Sequence, residues 1–495
     1  MPSLPLTPDL WAIFPELLLS IYAFIILGVA VFLPRSEARY LGYLSILGVA
    51  LVSLPLMRFA RILAESAGGV VVGWGGMFVL DTFALFFKFL FLLVAALTML
   101  MSIRYLEIEG AQAGEYYALI MFAVVGMMFM ASGRDLLMIF IGLETMSLST
   151  YVLAGFLKRD RRSNEAALKY FLLGTFSTGL FLYGISLLYA VTGSTSLSAI
   201  ATALAFEGMR QQPLMVLGLI LLVVALGFKI AAVPFHMWVP DAYEGAPTAV
   251  AAFFSTGIKA AAFSIVLRIL VEGMMEARQH WALLLVVLSA ASMTIGNLGA
   301  LLQDNMKRLL AYSSVAHAGY VLMGVLAAQK MGETGRYGLT AVCVYLLAYT
   351  FTNMGAFGLV VNLRREGLVG DQVDDFTGLA RRAPFAAFAM LVFMLSLAGI
   401  PATAGFVGKW YLFGAAIKAD YAWLAVLAVV NSAISLYFYL RVVVRMYMGD
   451  PAGTEVRGPS GALAVALAIC LLFTFWIGIY PQPFLQRLAG WAVLQ

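Results

Sequence analysis

Residues 227–263 read GFKIAAVPFHMWVPDAYEGAPTAVAAFFSTGIKAAAF, and this stretch decides how the rest of the chain is interpreted. It carries two lysines, Lys229 and Lys259, in largely apolar sequence, and Pro234 follows the first lysine by five residues. Proline removes a backbone donor and clashes with the preceding turn, so a helix that carries Lys229 is expected to break near Pro234. In an apolar environment, irregular backbone is tolerated only where protein encloses it or where it lines a watery cavity. The stretch therefore predicts a broken helix beside a buried lysine.

The composition of the chain indicates a membrane protein. Of 495 residues, 63% are hydrophobic and 12% are charged, whereas soluble globular proteins have roughly 45–50% apolar and about 25% charged residues. A water-soluble enzyme, a disordered protein and a nucleic-acid-binding protein are excluded, and the net charge of +5 is interpreted as a reflection of topology. Cys343 and Cys470 lie far apart without a CxxC pattern, so we expect no disulfide, iron–sulfur cluster or zinc site on this chain.

Apolar runs of the length that crosses a bilayer predict an all-α polytopic membrane protein with about fourteen spans. The predicted spans, numbered one to fourteen, are 9–33, 40–62, 81–101, 115–132, 135–156, 165–191, 213–237, 248–271, 281–302, 306–329, 338–363, 385–413, 422–447 and 461–483. Residues 68–80, GGVVVGWGGMFVL, are rich in Gly and Val with near alternation, which predicts a short hairpin outside the membrane.

The distribution of Lys and Arg predicts the orientation. The odd-numbered connections hold sixteen of these residues, and the even-numbered connections with the C-terminal tail hold ten. Because cytoplasmic loops carry an excess of Lys and Arg, we expect the odd connections in the cytoplasm and both termini on the other side. The first span lacks a basic leader and a cleavage site, so it is expected to be structural rather than a removed signal peptide.

Five lysines fall inside apolar runs. A charge at the bilayer centre costs at least about 2.5–3.5 kcal/mol unless it faces protein or water. Lys229, Lys259 and Lys409 lie among small residues and helix breaks, which favours a functional role. For Lys169, about one turn into its span, an interfacial position is the alternative, and Lys88, near the start of its span, is interpreted as reaching the interface with its long side chain.

Glu144, in FIGLETMSLSTYVLAGF (residues 140–156), is interpreted as the one acid deep in a span. Burial favours the neutral form of an isolated Glu or Lys, whereas a nearby Glu–Lys pair holds both groups charged. A second charge that moves close to the pair would change which protonation state is favoured. A proton relay needs such a change of protonation.

Two histidines, His236 and His317, fall within predicted spans seven and ten. A bis-His haem site is disfavoured because His236 comes just after a proline break and no second pair exists. Proton transfer suits an imidazole, which titrates near neutral pH, and a satisfied packing histidine is the remaining alternative.

The pattern of breaks predicts an internal repeat. Span twelve holds Gly399, Ile400 and Pro401 before Lys409, as span seven holds Pro234 beside Lys229. Spans four to eight and nine to thirteen then form two units of five, each with its broken helix in fourth position, and because five is odd the second unit is inverted. The predicted organisation is residues 1–114 for three N-terminal helices and the hairpin, 115–275 and 276–450 for the two repeats, and 451–495 for the last helix.

The residues that carry these features resemble a known family. Residues 227–263, together with DNMKRLLAYSSVAHAGYVLMG (304–324) and SLAGIPATAGFVGKWYLF (396–413), are similar to the signature of the proton-pumping, antiporter-like subunits of respiratory complex I. The N-type subunit, equivalent to mitochondrial subunit 2, fits best. It is favoured by the run from Tyr243 to Thr248, by Lys409 where the M type typically has Glu, and by the absence of a long lateral helix after span fourteen.

The resemblance implies a role for each matching residue. Glu144 would pair with the pump lysine Lys229, and Lys169 would influence that pair. Lys259 would bridge the two halves, and Lys409 would connect to the exit side. His236 and His317 would lie on the polar axis between the half-channels, while Lys88 matches no motif.

The resemblance also implies a proton-translocating membrane-arm subunit of NADH:quinone oxidoreductase, in the inner membrane of a bacterium. FMN, iron–sulfur clusters, NADH and quinone would be bound by partner subunits, with no redox centre on this chain. The expected partners are the antiporter-like M subunit, the small K and J subunits, and lipids, with no nucleic acid. Two alternatives remain: a subunit of a multisubunit cation/proton antiporter, and a scaffold that does not pump.

Overall fold

A computed structural model describes residues 8–34, 37–65, 69–111, 114–364, 370–450 and 458–491. Four residues used in the sequence analysis lie outside the described residues. They are Gly68 of the predicted hairpin, and Arg35, Arg365 and Arg457, which are among the sixteen basic residues counted in the odd-numbered connections.

Within the described residues, twelve helices are long and apolar enough to cross a membrane, and two interrupted helices complete the fourteen predicted spans. The continuous spans are one, Phe14–Phe32; two, Arg39–Glu65; three, Thr82–Ile108; four, Gly114–Ser132; five, Leu136–Ala154; six, Arg161–Thr192; eight, Thr248–Gly273; nine, Met275–Leu301; ten, Met306–Ala328; eleven, Glu333–Leu363; thirteen, Ala422–Met448; and fourteen, Gly461–Ile479. The all-α membrane fold predicted from the sequence is confirmed.

Span seven is broken immediately after its lysine. Its first half is Pro213–Lys229 and its second half is Val239–Gly245, with irregular backbone between them. Ala231 in the break has a φ of 62°, which is uncommon for a residue with a side chain. The predicted interruption beside Lys229 is confirmed.

Span twelve is broken in a similar way. Pro384–Ala398 ends at Gly399, whose φ of 89° caps the helix in the left-handed region, and Ala404–Lys418 forms the second half. Ala402 in this break has a φ of 68°. Glycine adopts this conformation without strain, and proline often follows such a cap within two residues, as Pro401 does here.

Span eight, which the sequence presents as a uniform apolar run, alternates between two kinds of helical winding. Two α-helical segments, Thr248–Phe253 and Lys259–Leu267, alternate with two π-helical segments, Phe254–Ile258 and Arg268–Gly273. Such π-helical turns are rare and occur frequently at functional sites. One of them directly precedes Lys259.

The elements outside the spans are short. Strands β1, Val71–Gly73, and β2, Phe78–Leu80, pair antiparallel with Val71 opposite Leu80, so the predicted hairpin is confirmed. The remaining short helices are Pro8–Ala12, Trp74–Gly76, Leu197–Leu204, Glu207–Arg210, Val373–Phe376, Leu379–Arg382 and Gln482–Trp491.

The interior of the protein is built around spans eight, ten and eleven, which the other helices enclose almost completely, whereas spans one and two expose most of their surface. Small residues allow the close helix contacts. Gly126 of span four faces the Gly142 carbonyl of span five so closely that an added Cβ would lie 2.5 Å from that oxygen. The enclosed helices carry Lys259 and His317.

Two positions differ from the sequence prediction. Lys88 does not reach an interface: its side chain is fully buried, and its Nζ lies 2.6 Å from a carboxylate oxygen of Glu16 in span one. Arg268, counted with the connections, is buried in span eight with its guanidinium 2.8 Å from Asp81. Both errors arise because a partner far away in the sequence compensates the charge.

Candidate functional site

Lys229 is the last residue of the first half of span seven and is buried. Its Nζ donates a hydrogen bond of 2.8 Å to the Ser147 hydroxyl on span five. The Tyr151 ring lies 5.8 Å from the same nitrogen. The break in the helix therefore places the amine against a polar face of span five.

Glu144 lies one turn before Ser147 on that face of span five and is half-buried. Its carboxylate accepts a hydrogen bond of 2.8 Å from the Thr178 hydroxyl of span six. Among the described residues no direct ion pair joins Glu144 to Lys229. The Ser147 hydroxyl holds the amine instead, close enough for the carboxylate to act on it through space.

Glu144 lies in the middle of span five, whereas a second buried acid lies in the first turn of span one. Glu16 in span one is 1% exposed and pairs with Lys88. The acid that the sequence singled out is thus the more exposed of the two.

Lys259 follows the first π-helical segment of span eight and contacts span ten. Its Nζ donates to the Ser314 hydroxyl over 2.7 Å and also to the Ser314 carbonyl. Asn353 of span eleven donates to the Ser255 hydroxyl within the π-helical segment over 2.6 Å. This side-chain contact anchors the irregular turn that positions Lys259.

His317 lies three residues after Ser314 on span ten, so the two side chains share a face of the helix. Its Nδ1 is hydrogen-bonded to the Tyr345 hydroxyl of span eleven, and its Nε2 lies 3.2 Å from the Tyr439 hydroxyl of span thirteen. Both ring nitrogens therefore have hydroxyl partners, and the imidazole is fixed in orientation.

Lys409 lies in the second half of span twelve. Its Nζ donates to the Ala398 carbonyl over 2.9 Å and to the Ser432 hydroxyl over 2.7 Å, and the Tyr320 ring centre is 5.2 Å away. The Ala398 carbonyl belongs to the last residue of the first half-helix. A carbonyl at the break thus contacts the lysine, as the proline–glycine pattern predicted.

A cavity of about 10 Å³ lies between His317 and Lys409. Its lining includes Tyr345, Thr352 and Ser396. A polar cavity of roughly this volume holds one water molecule. Lys259, Ser314, His317 and Lys409 therefore lie along one polar path. No described hydrogen bond joins Ser314 to His317, and none connects this path to Lys229.

Lys169 and His236 lie apart from this path. Lys169 is half-exposed and pairs with Asp241 and Glu165, each at 2.7 Å, and Asp241 also binds Arg308 at 2.7 Å. These contacts tie the second half of span seven to spans six and ten. His236 lies in the break of span seven with its ring centre 6.3 Å from that of Tyr312, and no described hydrogen bond joins it to His317.

Several residues of the site were missed by the sequence analysis. They are the hydroxyl partners of Lys259, Lys409 and His317: Ser314, Tyr345, Ser432 and Tyr439. On span eleven a signal was present, since Tyr345, Tyr349 and Thr352 recur at a helical spacing that puts them on one face. The described residues contain no cluster of His, Cys, Asp and Glu suited to a metal ion.

Comparison with known proteins first defines the class. A family described as "NADH:quinone oxidoreductase/Mrp antiporter, TM" matches residues 133–435. A subunit of the Mrp complex from Dietzia sp. DQ12-45-1b has the same fold, with a TM-score of 0.80 and 25% identity over 96% of each chain. The chain is thus an antiporter-like membrane subunit, although this class contains more than one kind of complex.

Closer relatives define the family. NADH-quinone oxidoreductase subunit N 1 of Koribacter versatilis is 45% identical over 100% of this chain and 97% of that protein. A chain of respiratory complex I from Thermus thermophilus with bound aureothin is 34% identical, covers 96% of this chain and 99% of that one, and has a TM-score of 0.78. The chain belongs to the NADH-quinone oxidoreductase subunit N family. Members are antiporter-like, proton-pumping subunits of the membrane arm of complex I, so this chain is a subunit of a translocase.

Proposed function

We propose that protons cross this chain through a relay formed by Glu144, Lys229, Lys259, His317 and Lys409. The driving force is electron transfer from NADH to a quinone on other subunits, which hold the FMN and iron–sulfur clusters. The observation that carries the proposal is the polar path from Lys259 through Ser314 and His317 to the cavity beside Lys409. It runs through helices that are otherwise closely packed and apolar.

The partners of the lysines support this assignment. Lys229, Lys259 and Lys409 donate only to hydroxyl and carbonyl oxygens in the described hydrogen bonds. A serine hydroxyl accepts from a protonated amine and donates to a neutral one, so it tolerates both charge states. A buried lysine held by a carboxylate, as Lys88 is by Glu16, loses strong stabilisation when it gives up its proton. The three relay lysines are therefore the ones whose charge changes at low cost.

Glu144 is assigned a control role at the start of the relay. Its charge stabilises protonated Lys229 through space, and its own position is fixed by Thr178. A change of charge next to Glu144 would weaken this stabilisation and favour release of the proton from Lys229. Lys169, bound to Asp241, and His236, in the break of span seven, are assigned supporting roles at the ends of that helix.

The relay is proposed to lie across two inverted repeats, residues 115–275 and 276–450, between N-terminal helices in 1–114 and a C-terminal helix in 451–495. Equivalent contacts recur 170 residues apart. A Cβ atom added to Gly126 would contact the carbonyl oxygen of Gly142 and the backbone nitrogen of Met146. A Cβ atom added to Gly296 would make the corresponding contacts with the carbonyl oxygen of Tyr312 and the backbone nitrogen of Ala316. At this separation Ser147 corresponds to His317, so the two halves place different polar groups at one position of the same framework.

The helix starts in the two units support the same correspondence. In the first unit, the backbone N–H of Leu136 donates a hydrogen bond to the carbonyl oxygen of Thr195, and the N–H of Leu197 donates to the carbonyl oxygen of Arg134. In the second unit, the backbone N–H of Met306 donates to the backbone carbonyl of Asp371, and the N–H of Val373 donates to the backbone carbonyl of Asp304. Spans five and ten are thus both fixed at their first turn by the connection that follows the next helix.

In the cell we place the chain in a bacterial inner membrane with both termini on the non-cytoplasmic side. Its neighbours in the assembly would be the antiporter-like M subunit and the small K and J subunits, together with lipids. The support is the excess of Lys and Arg in the odd connections and the membership of the family.

An exchange of Na⁺ or K⁺ for protons is the second candidate, because a subunit of the Mrp complex shares the fold at 25% identity. A scaffold without transport is the third. The assembled complex, reconstituted in liposomes, separates them. We expect NADH-driven proton transport without a requirement for Na⁺ or K⁺, and a strict requirement for either ion would favour exchange.

Variants of Lys229 test the relay itself. Lys229→Ala removes the carrier and is expected to abolish most NADH-driven proton transport. Lys229→Arg is expected to be nearly as harmful, since a guanidinium keeps its proton. Lys418→Ala, at an exposed lysine at the end of span twelve, is the control. Normal transport by the Ala variant would support a scaffold, and normal transport by the Arg variant would show that only positive charge matters there.

A further inference from the structure

Tyr345 occupies the position between His317 and Lys409. It is fully enclosed on span eleven, its hydroxyl is hydrogen-bonded to His317 Nδ1, and it lines the cavity that Lys409 also lines. Lys409 itself donates to Ala398 and Ser432, and no described hydrogen bond joins it directly to His317. A proton that passes between the two groups through this cavity crosses the space that Tyr345 borders.

The surroundings suit one water molecule next to the tyrosine. The cavity of about 10 Å³ corresponds to roughly one water, and a buried water needs two to four polar partners. Tyr345, Thr352 and Ser396 offer hydroxyls there, and Lys409 offers its amine. A water at this place would connect the tyrosine hydroxyl to the lysine.

The imidazole is held so that one particular nitrogen meets Tyr345. The Tyr439 hydroxyl contacts the other nitrogen, Nε2, and also the Ser313 hydroxyl. The Tyr349 ring lies 4.9 Å from the imidazole centre and stacks parallel to the Tyr345 ring at 6.3 Å. Tyr439 thus acts as a positioning residue, and Tyr345 is the tyrosine that combines a hydrogen bond to His317 with a place on the cavity.

We propose that the Tyr345 hydroxyl transfers the proton between His317 and Lys409, which deepens and rests on the proposed relay. The Nδ1–H of protonated His317 passes its proton to the Tyr345 oxygen while the original hydroxyl proton passes to the water. The water then passes one of its protons to the neutral Lys409 amine. One N–H bond breaks, one N–H bond forms, and the tyrosine and the water end unchanged.

The proposal distinguishes the hydroxyl from the ring, so Tyr345→Phe is the test and Tyr337→Phe is the matched control. The control makes the same change two turns away on the same helix, at a tyrosine that stacks on Tyr411 and does not line the cavity. The assembled complex is reconstituted in liposomes and normalised by its bound flavin. NADH-driven proton transport and the solvent isotope effect on turnover are then measured.

We expect Tyr345→Phe to lower proton transport to about a hundredth of wild type, the lower end of what positioned proton-transfer groups contribute. Because the transfer then limits the rate, the solvent isotope effect should rise, which a packing defect alone would not cause. Tyr337→Phe should leave both quantities near wild type. Thr352→Val, which removes another cavity hydroxyl, should show a smaller loss in the same direction.

Two outcomes overturn the inference in distinguishable ways. If Lys409→Ala abolishes transport while Tyr345→Phe and Thr352→Val both match Tyr337→Phe, the relay stands and Tyr345 is not part of it. If Lys409→Ala transports protons normally, the relay fails and the role of Tyr345 fails with it. Should Tyr345→Phe assemble poorly, normal transport by Thr352→Val would still count against a water-linked transfer.

Discussion

At the scale of single residues, a buried lysine is characterised by the oxygen that it faces. Lys229, Lys259 and Lys409 face neutral oxygens, whereas Lys88 and Lys169 face carboxylates. Breaking a buried ion pair by removing one partner typically costs 3–5 kcal/mol, while replacing both partners with apolar residues is often neutral. On the proposed relay, the same residue type would serve as a proton carrier in one place and as a structural group in another.

Removal of the Glu144 charge should weaken the relay without breaking the fold. Glu144→Gln keeps the size of the side chain but withdraws the negative charge that stabilises protonated Lys229. We expect NADH-driven turnover and proton transport to fall together, because the two are coupled. Glu144→Asp retains the charge with a shorter reach and should be milder. Unchanged turnover in a correctly assembled Glu144→Gln complex would remove Glu144 from the mechanism.

The pair of Lys88 and Glu16 should behave as a structural element. Lys88→Met leaves the Glu16 carboxylate unpaired and should destabilise the folded chain by about 3–5 kcal/mol. The double variant with Glu16→Leu should recover most of that loss. The measurement is the yield and thermal stability of the assembled complex, followed by proton transport. A double variant that assembles normally but no longer transports protons would instead make the pair part of the relay.

At the scale of elements, the two broken helices position Lys229 and Lys409. In span twelve the break depends on Gly399 more than on the proline, because the first half-helix already ends in a left-handed glycine cap two residues before Pro401. A side chain at Gly399 would be strained, by about 1–2 kcal/mol. It would also lie 2.8 Å from the Lys409 Cδ atom. The end of the helix and the position of the lysine are thus coupled.

The loss of proton transport caused by substitutions at this break should be larger at Gly399 than at Pro401. Gly399→Ala is expected to displace Lys409 and to reduce proton transport more than Pro401→Ala, which leaves the cap in place and should lower transport only partly. Both should assemble near normally and remain less harmful than Lys409→Ala. Gly461→Ala, at a helix start with open space around the added Cβ, is the control. A larger defect for Pro401→Ala than for Gly399→Ala would show that the proline determines the break.

At the scale of the whole molecule, inverted repeats make equivalent connections lie on opposite sides of the membrane. The connection after span five carries the exposed Lys158, and the connection after span ten carries the exposed Met331. We expect Lys158→Cys to react with an impermeant thiol reagent from the cytoplasmic side and Met331→Cys from the other side. Background should be low because Cys343 and Cys470 are buried. Reaction of both from one side would rule out the inversion.

The sequence by itself determined the membrane class, the hairpin, the two broken spans and the family. These follow from local properties, since a run of apolar residues, a proline or a left-handed glycine acts on its own neighbourhood. It also pointed to the relay lysines, because a charge in an apolar run is costly wherever it lies.

The tertiary structure decided which oxygen each charge meets. Lys88 faces Glu16 from a helix far away in the sequence, Ser314 rather than a carboxylate holds Lys259, and Tyr345 comes to His317 from another span. Whether a buried charge is fixed or mobile depends on its partner, and contacts between helices bring that partner from distant parts of the chain. Hydroxyl-bearing residues are common in apolar helices and carry no local sign of facing a charge, so the relay's hydroxyl partners emerged only once the helices were packed.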